Sequence, residues 1–510
     1  MAESTSVTPE NRRSHGTRIL RGAFGSFLVN ILAYGFLFIG QVIIPRVLTR
    51  TDYASFTVSI SFVAVMALFA DLGMNPMFTR LLAEAEEAVA SGLEDRRGIL
   101  LGSALAIRVA TSILVSAAVF FLAPQIYSPD IAHCATILLL SLIISSRILI
   151  IRSVGESVLR GRGKYYLAAS FALLDAMVFA GLLLYGASRS LTLSSVIWIY
   201  TLSNLPGFFL TAGVVYFWMR RENIRLGIDF DLTRQMFQMA LPLSFGTAFL
   251  TIHNEANKLL LDKLSTPLEV SAYGATIRLL AAASPLPLVL AAVTAPEVTR
   301  LLIRNDLERT RRLTGLAQRL LLTIAGAIAL FVTVAHQEII VLLLGTKYIS
   351  ASPLLTISAW MLLPIFLAWY TCEISIAAGE FRPWTIYNAL IMFFVVIGDL
   401  MLIPYYGAAG AMISKLSAIA LGCAVLVYLQ RNSLYLDVKR SVLSLMLVLL
   451  AVLTSLAIFL AIHTFYLNAW IEGTIVLLVF LIMIHFTHVL SMHEMIGFAK
   501  RLRTKQELEG

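Results

Sequence analysis

The apolar residues of this chain fall in long uninterrupted blocks, and this arrangement restricts its fold more than any other feature. Many blocks reach about 20 residues with almost no charged side chain, the length that an α-helix needs to cross a bilayer. Apolar residues make up 59% of the 510 residues and charged residues only 14%. Because soluble domains contain about 25% charged residues, the pattern predicts a polytopic membrane protein.

The blocks predict an all-α fold with fourteen transmembrane helices joined by short loops. Barrel strands would alternate polar and apolar residues, and these blocks do not. The predicted spans are residues 22–44, 54–74, 99–123, 131–152, 165–186, 193–218, 235–256, 271–296, 315–335, 352–378, 383–403, 407–430, 441–463 and 471–491. The predicted segments are an N-terminal tail (1–21), an N-lobe with helices 1–6 (22–220), a C-lobe with helices 7–12 (230–430), helices 13 and 14 (441–491) and a C-terminal tail (492–510).

Positive charge predicts the orientation of these spans. Of the 39 Lys and Arg residues, 29 lie in the tails and in the loops on the N-terminal side of the membrane, and 6 lie on the opposite side. Loops rich in Lys and Arg remain in the cytoplasm, so both termini are predicted to be cytoplasmic. The same distribution explains the net charge of +9 without a nucleic-acid partner. The remaining four cations lie within spans and are Arg108, Arg147, Arg278 and Lys415.

An internal repeat relates the two predicted lobes. Tyr53 precedes the sequence Thr-Arg-Leu-Leu at Arg80, and Tyr273 precedes the same four residues at Arg300, with 27 residues from Tyr to Arg in both copies. Each copy has six helices, so both begin on the same side of the membrane. We therefore expect two lobes related by a pseudo-two-fold axis along the membrane normal, which is a common transporter architecture.

Several short motifs resemble those of one transporter family. They are Pro45-Arg46-Val47-Leu48 with Asp52-Tyr53, Ala70-Asp71-Leu72-Gly73 with Arg80, Leu241-Pro242-Leu243, Ala272-Tyr273-Gly274-Ala275 with Arg278, and Pro404-Tyr405-Tyr406-Gly407-Ala408-Ala409-Gly410-Ala411. Over residues 20–430 the chain resembles the polysaccharide-transporter branch of the multidrug/oligosaccharidyl-lipid/polysaccharide exporter superfamily. The resemblance implies a flippase of the bacterial inner membrane that moves a polyprenyl-pyrophosphate-linked oligosaccharide for surface polysaccharide synthesis (exopolysaccharide, capsule or O-antigen). A polysaccharide polymerase and export machinery are the partners it implies.

Two other functions remain open. A multidrug exporter of the same superfamily would carry cations and would need an acidic cavity, whereas cations within spans favour an anionic cargo. A membrane glycan polymerase or ligase would need catalytic residues on a sizeable outer loop, and no predicted outer loop is long enough. We expect a transporter rather than an enzyme, without a metal or other cofactor, whose transport is coupled to a Na⁺ or H⁺ gradient.

Three cations are candidates for binding an anionic lipid head in a cavity. Arg278 is the first choice, since its helical neighbours are Gly and Ala. The alternative is that these small residues allow close helix packing and that Arg278 pairs with a backbone carbonyl or an acid. Arg108 either lines the cavity or pairs with Asp175 or another acid. Lys415, on a stripe of small residues, is open to both interpretations.

Acids and prolines within the spans are further candidates. Glu373, Asp175 and Asp399 either couple transport to Na⁺ or H⁺ or form salt bridges with the cavity cations. Glu373 is the first choice for a protonatable site. Prolines interrupt three predicted spans and act either as hinges or as static kinks. These prolines are Pro206, Pro285, Pro287 and Pro364.

Overall fold

The fold was taken from a computed structural model of the full chain. It describes residues 29–71, 73–145, 150–433, 435–464, 468–487 and 489. The predicted tails 1–21 and 492–510, the beginning of the first predicted span and Arg147 lie outside the described residues. Every regular element in the described residues is helical, so the predicted all-α polytopic fold is confirmed.

Ten α-helices occupy the described residues of the first half of the chain. They are α1 (Val29–Val47), α2 (Arg50–Asp71), α3 (Met74–Ala90), α4 (Arg97–Ile126), α5 (Pro129–Leu138), α6 (Ser141–Ile144), α7 (Ile151–Gly161), α8 (Tyr165–Ala187), α9 (Leu193–Leu202) and α10 (Leu205–Arg221). Two of them lie in regions predicted as loops: α3 covers most of 80–97, and α7 covers most of 152–164. The loop prediction was wrong there because it relied on charge, and helices that lie outside or at the edge of a bilayer carry charge readily.

Ten more α-helices follow in the part of the chain that the structure describes. They are α11 (Phe230–Leu264), α12 (Pro267–Ala281), α13 (Pro285–Ile303), α14 (Leu307–Val334), α15 (His336–Leu344), α16 (Ser352–Trp360), α17 (Leu362–Ala377), α18 (Arg382–Leu429), α19 (Val438–His463) and α20 (Ala469–Phe486), with a 3₁₀ helix at Thr346–Ala351. Within α18, Gly407 adopts φ 53° and kinks the helix, so α18 contains two predicted spans. Ala408 N donates to Glu269 Oε2 at 2.8 Å, and this bond satisfies a backbone amide that the kink frees.

Eleven segments of the described residues are long and apolar enough to cross a membrane. The predicted number of fourteen differs for three identifiable reasons. Two predicted spans merge in α18, residues 129–144 form only the short helices α5 and α6, and α11 is not among the eleven segments. The prediction of a multi-pass membrane protein is confirmed, and its span count is approximate.

The chain divides into two compact units. The first contains Val63–Ser244 and the described residues up to Gly40; the second contains Gln41–Phe62 and the described part of Phe245–Gly497. In the second unit, α19 and α20 pack against α14. There a Cβ on Gly326 would lie 3.0 Å from Phe480 and 3.3 Å from Val448, so the glycine permits this close packing.

An ion-pair network joins helix ends in the first unit. Arg97, at the start of α4, donates to Asp95 at 2.8 and 2.9 Å and also to Glu222, just after α10. The guanidinium of Arg97 lies 5.8 Å from the Trp218 ring centroid. The hydrogen bond from Arg97 lowers the pKa of Asp95 below its ordinary value. These contacts connect the α3–α4 junction to the end of α10.

Candidate functional site

Arg278 lies in the last turn of α12 and is half-buried. Its guanidinium carbon is 5.0 Å from the ring centroid of Phe56 and 5.4 Å from that of Tyr53, both on α2. Among the ion pairs between described residues, none includes Arg278. A stacked guanidinium keeps its N–H donors in the plane of the group, where they can form two parallel bonds to a phosphate. The role of Arg278 in binding an anionic lipid head remains a prediction.

A helix break beside Arg278 helps its charge to remain within an apolar span. Helix α12 ends at Ala281 and α13 begins at Pro285. The amides of Ala282 and Ala283 donate hydrogen bonds to carbonyl groups in the last turn of α12, at 3.2 and 3.0 Å. A helix C-terminus carries partial negative charge, which stabilises a nearby cation. One turn earlier, Gly274 packs so closely on α2 that a Cβ would lie 2.9 Å from Thr57, so the small residues do allow close packing.

Arg108 is buried in an ion pair in the first unit. Only 1% of its side chain is exposed, and Nη2 lies 2.9 Å from Asp71 Oδ1. The guanidinium also donates to Asn75 Oδ1 at 2.8 Å and to the carbonyl of Ala70 at 3.0 Å. Of the two interpretations, these contacts favour the ion pair, with Asp71 rather than Asp175 as the acid. A direct role of Arg108 in substrate binding remains a prediction.

Lys415 and Asp399 belong to a buried polar cluster on α11 and α18. Lys415 Nζ lies 3.3 Å from the carbonyl of His253 and 3.5 Å from Asn254 Oδ1. Asp399 accepts two hydrogen bonds from Asn257 Nδ2, at 3.0 and 2.8 Å. Both charged side chains are almost fully buried. Sequence reasoning identified the two charges but not Asn257, because an amide on another helix leaves no periodic signal.

Asp175 forms a buried ion pair with Arg152. Arg152 Nη1 donates to Asp175 and also to the carbonyls of Ile144 and Asn204, at 3.3 and 3.2 Å. Asp175 Oδ1 accepts from the amide of Gly207 at 2.8 Å, in the first turn of α10. The pair thus forms hydrogen bonds to backbone groups that lack helical partners, at the end of α6 and at the break between α9 and α10. Lipid chains could not form these bonds. Arg152 is the last residue of the predicted span 131–152, and only 2% of it is exposed.

Glu373 differs from the other two candidate acids. It is half-buried on α17, whereas Asp175 and Asp399 are buried almost completely. None of the ion pairs and hydrogen bonds between side chains of described residues includes it. A half-buried carboxyl group without such a partner can gain and lose a proton at lower cost than a paired one. Its role in coupling remains a prediction.

The four predicted prolines lie at helix breaks. Pro206 is in the first turn of α10, Pro285 is the first residue of α13, Pro287 follows in the same turn, and Pro364 is in the first turn of α17. A proline in the first turn needs no backbone donor, so these positions accommodate it without strain. The interruption of all three spans is confirmed, and their use as hinges remains a prediction. Within the described residues no cluster of three His, Cys, Asp or Glu side chains could hold a metal ion.

Comparison with known proteins supplies a family and a fold. A family profile described as "Polysaccharide biosynthesis protein" matches residues 19–302. A structure of the lipid II flippase MurJ in an inward closed conformation is 13% identical, with a TM-score of 0.71, and the alignment covers 92% of this chain and 99% of that one. An inward-facing multidrug resistance MATE family transporter of the MOP superfamily is 14% identical, with a TM-score of 0.63 and coverage of 81% and 99%.

A third solved structure has the same fold. It is a MOP superfamily transporter from Pyrococcus furiosus, described by a reverse polarity of its binding pocket, and it is 14% identical with a TM-score of 0.59 and coverage of 82% and 98%. A comparison with curated protein sequences finds no significant match. At these identities the structures establish the shared fold, which is that of membrane transporters.

Proposed function

Because the chain belongs to the polysaccharide biosynthesis protein family, we propose that it is a flippase for a lipid-linked oligosaccharide. Its cargo is a polyprenyl-pyrophosphate-linked repeat unit, which it carries from the inner to the outer leaflet of the bacterial inner membrane. Both termini lie in the cytoplasm, as the distribution of Lys and Arg favours. A polysaccharide polymerase and export machinery use the product on the far side.

The main physical difficulty for such a flippase is the charge of the pyrophosphate. Moving an unpaired ion through hydrocarbon is prohibitively costly, so the head must meet fixed positive charge along its path. Arg278 is the observation that carries the proposal. It lies within an apolar span, stacks on Tyr53 and Phe56, and takes part in none of the ion pairs between described residues. No ion pair with a described residue therefore competes with phosphate oxygens for its charge.

The other predicted site residues have distinct roles in this proposal. Glu373 is the protonatable group that couples transport to an ion gradient. Asp175 holds the break before α10 through Arg152, and Arg108 holds the end of α2 through Asp71. Asp399 stabilises the junction of α11 and α18 through Asn257, and Lys415 supplies a second positive charge in the same cluster.

Deletion of the gene followed by lipid extraction tests this function. Polyprenyl-pyrophosphate oligosaccharide should accumulate on the inner leaflet, and complementation with the wild-type gene should clear it. Unchanged lipid intermediates combined with hypersensitivity to cationic drugs would instead identify a multidrug exporter. If the gene encoded a polymerase or ligase, its deletion would leave flipped but unpolymerised units on the outer leaflet.

A further inference from the structure

A groove opens in the first unit between α4 and the beginning of α11. One face of α11 forms its wall, with Phe230, Thr233, Arg234 and Phe237 at successive helical positions, and Ile107 of α4 faces them. The groove has a volume of about 530 Å³, which lies within the range of about 300–1,000 Å³ that is common for small-molecule sites. Ile107 and the two phenylalanines form the apolar part of its wall, and Thr233, Arg234 and Gln238 form the polar part.

Contacts with α4 hold this wall in place. Asp229 Oδ1 accepts from the amides of Asp231 and Leu232 at 2.8 and 3.1 Å and so caps the start of α11. The amide of Asp229 donates to Ser103 on α4 at 3.3 Å. On a neighbouring face of α11, Met236 and Ala240 are fully buried in the core of the first unit. This core and the bond to Ser103 anchor the beginning of α11 beside α4.

Arg234 stands out in these surroundings. It is exposed, and none of the hydrogen bonds and ion pairs between described side chains includes it. Phe230 and Phe237 lie one turn before and one turn after it, and they are 84% and 40% exposed. A guanidinium between two exposed aromatic rings favours a ligand with a phosphate group and a hydrocarbon chain.

The position of the groove along the membrane normal agrees with such a ligand. It lies at the beginning of α11, on the predicted cytoplasmic side, in the segment 220–234, which contains four Arg residues including Arg234 itself. Phosphate groups of inner-leaflet lipids lie at this level, and basic residues there attract anionic lipids. We propose that this groove binds a phosphate-headed lipid of the inner leaflet, with the phosphate on Arg234 and the hydrocarbon chain between Phe237 and Ile107. The site requires only binding, so it does not depend on the transport function.

Native mass spectrometry of the full-length protein tests the site. The probes are polyprenyl pyrophosphate, phosphatidylglycerol and, as an uncharged lipid, diacylglycerol. Arg234→Ala should weaken binding of the phosphate lipids by about tenfold, since a hydrogen bond to a charged group contributes about 1.5 kcal/mol or more. Arg234→Lys should restore part of it, and diacylglycerol should be unaffected. Phe237→Ala should weaken all three lipids.

Arg221→Ala is the matched control, because it removes one exposed arginine at the end of α10 without changing the groove. It should leave binding of all three lipids unchanged. A preference for polyprenyl pyrophosphate over phosphatidylglycerol would identify the groove as a first docking site for the cargo, whereas equal binding would identify a site for structural phospholipid. Loss of binding in Arg221→Ala equal to that in Arg234→Ala, or no loss in either, would overturn the proposal even if transport itself is confirmed.

Discussion

Replacing Arg278 tests the proposed anion path at its best-defined point. The guanidinium is held by two aromatic rings, at 5.0 and 5.4 Å, in the last turn of a helix that ends within the membrane. Arg278→Met keeps much of the apolar stem and removes the charge, so it separates anion binding from packing. Arg278→Lys keeps the charge and removes the planar fork.

The size of the effect follows from the contacts. Two charge-assisted hydrogen bonds to phosphate contribute about 1.5 kcal/mol each at the low end, so losing both costs about 3 kcal/mol. That corresponds to roughly a 100-fold loss of transport, at about 1.4 kcal/mol per factor of ten. Lysine still pairs with phosphate as a point charge but loses the second bond. We therefore expect about a tenfold loss for Arg278→Lys.

Transport in proteoliposomes, measured with a fluorescent lipid-linked oligosaccharide, gives the result directly. Arg189→Ala is the matched control, because Arg189 also stacks on an aromatic ring, 4.6 Å from the centroid of Tyr185, but lies exposed after the end of α8. It should transport normally. Thermal unfolding of each variant checks that the fold is intact. If Arg278→Met folds and transports at the wild-type rate, Arg278 is not part of the path.

Three further predictions concern stability. Asp71→Asn should lower the free energy of unfolding by about 3 kcal/mol, because it leaves a buried guanidinium without its acid; an unchanged midpoint of chemical unfolding would argue against that pair. Gly207→Ala should destabilise the protein, since its Cβ would lie 2.5 Å from a buried carboxylate, whereas Gly213→Ala in the same helix meets nothing within 4 Å and should be neutral or slightly stabilising; equal unfolding temperatures would contradict this. The ionised Asp95 carboxylate stabilises the fold above its unfolded pKa of about 3.9, and this stabilisation is lost as pH falls through the lower pKa of the folded state. Asp95→Asn should therefore flatten the decline of the unfolding temperature between pH 5 and pH 3 (about one unit either side of the unfolded pKa). If Arg97→Gln keeps the wild-type pH profile, Arg97 is not the cause of the lowered pKa.

The sequence predicted the spans well where hydropathy alone decides them. The predicted span 165–186 corresponds to α8 at Tyr165–Ala187, and 441–463 corresponds to α19 at Val438–His463. Helices that break or bend within the membrane were predicted less well, because two short apolar helices in series have the same composition as one long one. Proline marked three of these breaks, but the conformation of Gly407 gave no comparable signal.

Charges within the spans could be located from the sequence, but their partners could not. Arg108 was identified, yet its acid is Asp71, at the end of another helix, and Asp175 pairs instead with Arg152. Such pairs depend on which helices are neighbours, and a single sequence does not contain that information. The stacking of Tyr53 and Phe56 on Arg278 was missed for the same reason, although Tyr53 already marked the internal repeat.

The central claim is that fixed positive charge carries an anionic lipid head across the bilayer. Its most direct test is to reconstitute the purified protein with two cargoes that share one glycan and one polyprenyl chain, of which only the first contains the pyrophosphate. The account predicts that the first crosses to the other leaflet at a rate that depends on Arg278, while the second stays where it was inserted. Equal rates for both cargoes would contradict it.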